Sequence, residues 1–477
     1  MEPSKFLVGG TWRSSSDVRP VVNPFDNAVV GEVCQASSKD ITDAIQAATA
    51  GFQSTRRLPS FQRAEILSQI SRRVESNKEK FARLITSETG KPITFSRAEV
   101  DRSVFTFQYA AEEAKRLEGS VLPLDLAMNA VNRFGIVRRF PIGVIGAITP
   151  FNFPINLIAH KLAPAIAAGN SFILKPSSNA PLTALLLAEI ILESGYPGEA
   201  VSVTTCTGKR IEQLVVDERV KLLSFTGSPS VGWSLKEKAG KKKIVLELGG
   251  NAAVIVDKDS DVVPAAKRIA LGAYGNAGQS CIAVQRIYVH HDLYEEFLKA
   301  FVEISVLIKT GDPGDESTVV GPMIDESAAR KAEEWTSEAV AAGARVQCGG
   351  KRTRAVLEPT VLTNVNPGLK VSCQEVFAPV VTVDSFESFE KAIEAVNHSA
   401  FGLQAGVFTN DFSHVLGAFS ALEVGGVIIN DFPTFRIDHM PYGGVKDSGF
   451  GREGIKYAIE EMMEPKLLVI NSQSTLS

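Results

Sequence analysis

The sequence predicts an α/β fold made of two successive units and a β-hairpin arm. Three observations carry this expectation. Short apolar segments alternate with longer amphipathic ones, the pattern of a parallel sheet with helices on its faces. The alternation starts afresh near Ala252, just after Gly249-Gly250, which places a junction at residues 248–251. The chain has 477 residues, more than one domain of about 100–200 residues accommodates.

The elements follow in order. Residues 39–53 open on a helix-start signature, and 60–90 and 97–118 read as long amphipathic helices. Segment 120–141 alternates like a hairpin that leaves the body. Residues 138–147 read as a strand, 150–168 as a turn and helix, 171–175 as a strand and 181–194 as a helix. Segments 201–204, 222–225 and 244–248 complete the first series of strands. The second series has strands at 252–256, 285–290, 380–383, 403–408 and 426–430. Its helices fall at 262–277, 292–309 and 325–342. The tail strand 466–470 needs a partner edge, expected in another subunit.

Composition excludes several classes. Lys plus Arg is 50 and Asp plus Glu is 54, so the formal charge of −4 offers no footprint for nucleic acid. The first residues carry no basic region followed by an apolar run, so no secretory signal is read. The apolar stretch 142–168 is broken by Pro150, Pro154 and Pro164 and carries Lys161, so no membrane helix is expected. A cytoplasmic setting is the default. The five cysteines (Cys34, Cys206, Cys281, Cys348 and Cys373) are too few and too scattered for a disulfide framework, and no metal site is predicted.

Cys281 is the strongest candidate for chemistry. It closes Gly275-Asn-Ala-Gly-Gln-Ser-Cys281, where small residues bring backbone N–H groups to the thiol. A helix N-terminus after the loop would lower the thiol pKa; a buried inert thiol is the other reading. None of the six histidines sits in a cysteine-hydrolase signature. The alternative base is Glu247, at the end of an apolar strand and followed by Leu248-Gly249-Gly250. Asn152 lies on a turn between Pro150 and Pro154, where a neutral amide suits an oxyanion hole or merely caps a turn. Lys175 ends a strand, and Thr226-Gly227-Ser228 open a helix that could take a pyrophosphate. The standard G-x-G-x-x-G fingerprint is absent there.

Together these motifs resemble the NAD(P)-dependent aldehyde dehydrogenases. The matching segments are Pro-Phe-Asn-Phe-Pro (150–154), Lys-Pro-Ser (175–177), Phe-Thr-Gly-Ser (225–228), Leu-Glu-Leu-Gly-Gly (246–250), Gly-Gln-Ser-Cys (278–281), Gln-Glu-Val-Phe-Ala-Pro (374–379) and Pro-Tyr-Gly-Gly-Val-Lys-Asp-Ser-Gly (441–449). The resemblance implies a Rossmann-like cofactor domain at 1–119 and 142–247, a catalytic domain at 248–447, and an oligomerisation arm and tail at 120–141 and 448–477. It implies Cys281 as nucleophile, Asn152 and the Cys281 N–H as oxyanion donors, and Glu247 as the group that activates water. Lys175, Glu375, Phe377 and Ser228 would hold the cofactor, and Glu453 matches a position sometimes given a proton-relay role. A homodimer or homotetramer follows.

The resemblance also frames cofactor and substrate. Many NAD-preferring relatives have a glutamate where this chain has Ser178, so NADP acceptance is expected, with NAD possible. Segment 433–441 resembles the branches acting on lactaldehyde, phosphonoacetaldehyde, glyceraldehyde 3-phosphate and succinic semialdehyde. Arg102 and Arg436 are placed to hold an anionic group, or are ordinary helix-pairing arginines. His160 divides between tunnel wall and core, and Ser280 is too small to block the thiol. The expected substrate is a small anionic or hydroxylated aldehyde. The rival readings are a CoA-acylating semialdehyde dehydrogenase and a non-catalytic protein on the same scaffold.

Overall fold

The computed structural model describes residues 2–472. The last five residues of the predicted tail, 473–477, and Met1 lie outside the described residues.

Two sheets organise the chain. The eight-stranded sheet has a parallel centre in the order Val201–Val203, Ser171–Lys175, Val144–Ile148, Val220–Thr226, Lys243–Glu247. Numbered along the chain, that order is 3-2-1-4-5, the doubly wound arrangement whose direction reverses beside Val144–Ile148. Thr11–Arg13 and Phe6–Val8 extend one edge, and Gly449–Phe450 pairs antiparallel with Lys243–Glu247 on the other. The short N-terminal strands carry little alternation and were not expected from the sequence.

The second, seven-stranded sheet runs Arg345–Cys348, Thr360–Thr363, Val380–Phe386, Val284–His290, Ala252–Val256, Gln404–Phe408, Gly426–Ile429. Its pairs are parallel except at the Arg345–Cys348 edge. Each sheet is covered by helices over its own apolar core. The all-buried helix Asn156–Ala168 lies at the centre of the first core, so even Lys161 and His160 must find polar partners inside it.

Three elements differ from expectation. The helix expected over 60–90 is two helices, Ser60–Ser76 and Lys78–Thr89. Asn77 leaves helical geometry at φ −106°, and its side chain bonds back to the Arg73 carbonyl. Such local amide bonding competes with helix continuation. The strand expected over 138–147 is two strands in different sheets, Arg133–Pro141 and Val144–Ile148. Gly143 at φ +131° supplies the change of direction that an L side chain resists.

The tail strand, Met463–Asn471, finds a partner within the chain on one of its edges. It pairs antiparallel with Arg133–Pro141 from Met463 opposite Pro141 to Asn471 opposite Arg133. The preceding helix Ile455–Glu461 packs Ile455 and Ile459 into the first core, which delivers the tail to that edge. Ser120–Pro123 completes a three-stranded arm on which Val121, Leu122, Leu467 and Leu468 are exposed.

Candidate active site

The carboxyl ends of the parallel strands open into one cavity of 990 Å³. Asn152 follows Val144–Ile148, Lys175 ends the next strand, Thr226 ends the fourth with Gly227 and Ser228 after it, and Glu247 ends the fifth. Ligands of doubly wound sheets bind in such a crevice at the reversal of strand order. Cys281, Ser280, Glu375, Phe377, Ser178, Arg102 and Arg436 reach the same cavity from the surrounding loops and helices. Of the residues singled out in the sequence, only His160 does not line it.

The thiol loop is held in strained backbone. Asn276, Ala277 and Gly278 are successive left-handed residues at φ +54°, +56° and +68°. An alanine there costs about 1–2 kcal/mol, so the surroundings must impose it. Gln279 does so with both ends: its side-chain oxygen accepts the Ile324 N–H at 2.8 Å and its amide donates to the Asn276 carbonyl. The Cys281 N–H has no acceptor among the described residues.

The expected helix N-terminus after the thiol is absent. Cys281 is followed by a turn and the strand Val284–His290, so no helix dipole assists the thiolate. Burial instead pushes the thiol up to about 12. Its one side-chain polar partner among the described residues is Tyr442, whose hydroxyl lies 3.0 Å from Sγ.

Asn152 donates from Nδ2 to the Gln279 carbonyl at 3.0 Å, which fixes the amide beside the thiol loop. Its turn is anchored from behind by buried Glu99. One oxygen of Glu99 accepts the N–H groups of Ile155 at 2.9 Å and Asn156 at 3.1 Å, and the other pairs with buried Lys91. The Lys91 ammonium also sits 3.9 Å from the Phe153 ring centroid.

Glu247 is buried, and neither carboxylate oxygen has a hydrogen-bond partner among the described residues. Burial first, and then the nearby charge of Glu453, hold its pKa well above the ordinary carboxylate range. Glu453 is burdened by the same burial, yet the cations Lys161 and Arg436 outweigh it and keep that carboxyl ionised. Lys161 donates to Glu453 at 3.0 Å and to Ser224 at 2.9 Å, and Arg436 donates to Glu453 at 3.2 Å.

The two arginines are engaged but still line the cavity. Asp438 accepts from Arg102 twice, at 2.6 and 3.1 Å, and also binds Asn156 and His160. His160 is thus a core residue: burial and Arg436 lower its pKa, and the neutral ring serves Asp438. Arg436 lies 3.6 Å over the Tyr442 ring, and its buried Nε has no hydrogen-bond partner among the described residues, with Asp438 4.0 Å away.

At the opposite end, Lys175 is buried with its pKa lowered by desolvation, and buried Thr226 Oγ1 has no partner. Glu375 accepts the Gly250 N–H at 2.9 Å, and burial lifts its pKa to about 7. Phe377 holds φ +56° and packs edge-on to Phe151 at 6.1 Å. These groups present one cation, hydroxyls and an aromatic wall to a ligand.

Residues 12–468 match the aldehyde dehydrogenase family profile. The chain belongs to that family. It is 44% identical over 465 residues to the 3-sulfolactaldehyde dehydrogenase of Priestia aryabhattai, covering 97% of each chain. The crystal structure of aldehyde dehydrogenase 21 from Physcomitrella patens, in complex with the reaction product succinate, superposes with a TM-score of 0.97 at 42% identity over 100% of both chains. The glyceraldehyde-3-phosphate dehydrogenase GapN from Methanocaldococcus jannaschii, complexed with NADP, gives 0.92 at 39% identity over 96% of this chain and 100% of that one.

This aldehyde dehydrogenase is an NAD(P)-dependent enzyme of the α/β fold that the motifs implied. Among its described residues no helix is long and apolar enough to cross a membrane. Sequence reasoning missed Tyr442, Asp438, Lys91 and Glu99. Tyr442 lay inside a quoted motif, and Asp438 lay two residues after Arg436. Lys91 and Glu99 gave no signal, because a charged pair eight residues apart on neighbouring segments reads as surface until burial is known.

Proposed function

We propose that the dehydrogenase oxidises a small aldehyde bearing an anionic group to the carboxylic acid, with Cys281 as nucleophile. The observation that carries this reading is the single cavity shared by Cys281, Glu247, Asn152, Arg102 and Arg436. The Cys281 thiolate attacks the carbonyl carbon, and the oxygen of the resulting thiohemiacetal is met by the Asn152 amide and the unengaged Cys281 N–H. The bound dinucleotide supplies the hydride acceptor. A thioester remains on Cys281. Glu247 takes a proton from water as that water attacks the thioester, and the acid leaves with the thiol restored.

The residues present fit the cofactor. Unpartnered Thr226 Oγ1, buried Lys175, the carboxyl of Glu375 and the Phe377 wall offer contacts for ribose and phosphate groups. Ser228 sits at the N-cap position of the helix Pro229–Lys238 without a side-chain cap bond, and that N-terminus suits a pyrophosphate. Ser178 sets no negative charge against a 2′-phosphate, which favours NADP.

Charge supports the substrate class. Arg102, Arg436 and Lys161 face two ionised carboxylates, Asp438 and Glu453, leaving one positive charge while Glu247 is protonated. That balance suits a carboxylate or sulfonate monoanion. The relatives named for 3-sulfolactaldehyde and glyceraldehyde 3-phosphate, and the neighbour holding succinate, share an anionic end. A hydroxyl beside the aldehyde is compatible with the same cluster. CoA-acylating chemistry is the poorer alternative, because Glu247 is in place to activate water.

A homodimer or homotetramer assembled through the arm accords with its exposed Val121, Leu122, Leu467 and Leu468. A cytoplasmic location accords with the soluble composition. The test of function is a panel of aldehydes with NAD and NADP. Arg102→Ala and Arg436→Ala should raise KM for succinic semialdehyde and for glyceraldehyde 3-phosphate at least tenfold, roughly the worth of one charge-assisted pair. Unchanged KM values would sink the anion reading, and a rate gain with added CoA would favour the acylating one.

A further inference from the structure

The reading of Cys281 as nucleophile leaves open how a half-buried thiol with a raised pKa becomes a thiolate. The two usual devices are missing: no helix starts after the thiol, and His160 is turned to Asp438. The groups that do face Sγ come from three neighbouring segments. Glu247 and Glu375 are carboxyls whose charge would oppose the thiolate, Arg436 is a cation that favours it, and Tyr442 touches it.

We propose that Tyr442 is a further catalytic residue, whose hydroxyl donates to the Cys281 sulfur as the thiol loses its proton, with the Arg436 guanidinium on the ring face strengthening that donor. The proposal rests on the nucleophile reading above. The geometry is direct: Oη lies 3.0 Å from Sγ, and the guanidinium carbon lies 3.6 Å from the ring centroid. The phenol, buried beside the thiol, stays protonated across the working range, so it is the donor and sulfur the acceptor. A cation against the π-face draws electron density from the ring and makes the O–H more acidic. In the step itself the S–H bond breaks, the proton leaves to water in the cavity, and Tyr442 keeps its own proton. Once sulfur bonds to the carbonyl carbon, its negative charge has moved to oxygen and the hydrogen bond relaxes.

The experiment follows Cys281 alkylation by iodoacetamide against pH in the full-length enzyme, read on the Cys281 peptide by mass spectrometry. Ultraviolet thiolate absorbance, taken as the difference from Cys281→Ser, gives a second measure of the same titration. Tyr442→Phe keeps the ring and removes only the hydroxyl. It should raise the labelling midpoint by about one pH unit, a tenfold slower labelling at neutral pH, because a hydrogen bond to a charged acceptor is worth about that much. Turnover should fall in step, and raising the pH should recover part of it. A midpoint that matches wild type by both measures overturns the role of Tyr442. A Cys281→Ser enzyme that still turns over aldehyde would overturn the nucleophile reading instead, so the two failures are distinct.

Discussion

The backbone at Gly250 approaches Cys281 so closely that a β-carbon there would lie 1.9 Å from the Cys281 carbonyl oxygen. Its neighbour Gly249 leaves room for the Glu375 carboxylate, which a β-carbon would meet at 2.5 Å. The Gly-Gly pair is therefore a packing requirement that lets the strand carrying Glu247 and the loop carrying Cys281 share one site. Gly250→Ala should fold with the thiol loop displaced and lose at least a hundredfold in kcat, since misplacement by about 1 Å is enough for that. Steady-state kinetics beside a thermal melt would check it; near-normal kcat would contradict the close approach.

Glu247 carries the next expectation. Its carboxyl is held protonated by burial and by ionised Glu453, and it must be deprotonated to take a proton from water. The hydrolytic step should therefore quicken as pH rises through its elevated pKa. Glu247→Gln should stall after one turnover, with a stoichiometric burst of reduced cofactor followed by turnover slower by about 10²–10⁴. Rapid-mixing absorbance checks the burst. A steady rate without a burst would place the water-activating group elsewhere.

Why some of this was legible in sequence and some was not follows from what each residue must satisfy. Asn152, Lys175, Thr226 and Glu247 were readable as cavity residues because polar groups at strand ends interrupt apolar runs beside glycine and proline. Asn77 and Gly143 broke expected elements because local backbone geometry overrode an uninterrupted hydrophobic pattern. The partner of the tail strand was hidden because it lies more than three hundred residues upstream along the chain, and periodicity says nothing about pairing at that distance. Asp438, Glu99 and Lys91 were hidden because a charged residue announces itself as surface unless its burial and partners are known. The thiol's environment was misread in one respect: glycine-rich loops often precede helices, and this one precedes a strand.

The proposed NADP acceptance rests on position 178. Ser178 lines the cavity within three residues of Lys175 and brings no charge. Ser178→Glu would set a carboxylate where a 2′-phosphate would be bound. The ratio of kcat/KM for NADP over NAD should fall at least tenfold, most of it through a higher KM for NADP, as like-charge repulsion dictates. An unchanged ratio would mean that the 2′ position is read by other groups.

The last expectation concerns Asp438, which gathers Arg102, Asn156 and His160 around one buried carboxylate. Desolvation alone would raise its pKa, but its hydrogen bond with His160 and the charge of Arg102 outweigh burial and leave it well below the usual carboxylate range. A carboxyl with a depressed folded pKa stabilises the protein at every pH above its unfolded value, near about 4. That contribution fades only as pH falls below this value towards the folded pKa. Asp438→Asn keeps the shape but removes the charge from its partners. It should lower unfolding free energy by about 3 kcal/mol, the lower end for breaking a buried charged pair, because Arg102 is 30% exposed and recovers part of its hydration. The deficit should be constant from about pH 5 to pH 8 and shrink below about pH 4, where the wild-type carboxylate itself begins to lose the advantage. Urea unfolding of both proteins across that range measures the gap directly. A gap that widens in acid would mean that Asp438 is held protonated in the folded enzyme and that Arg102 draws its order from another residue.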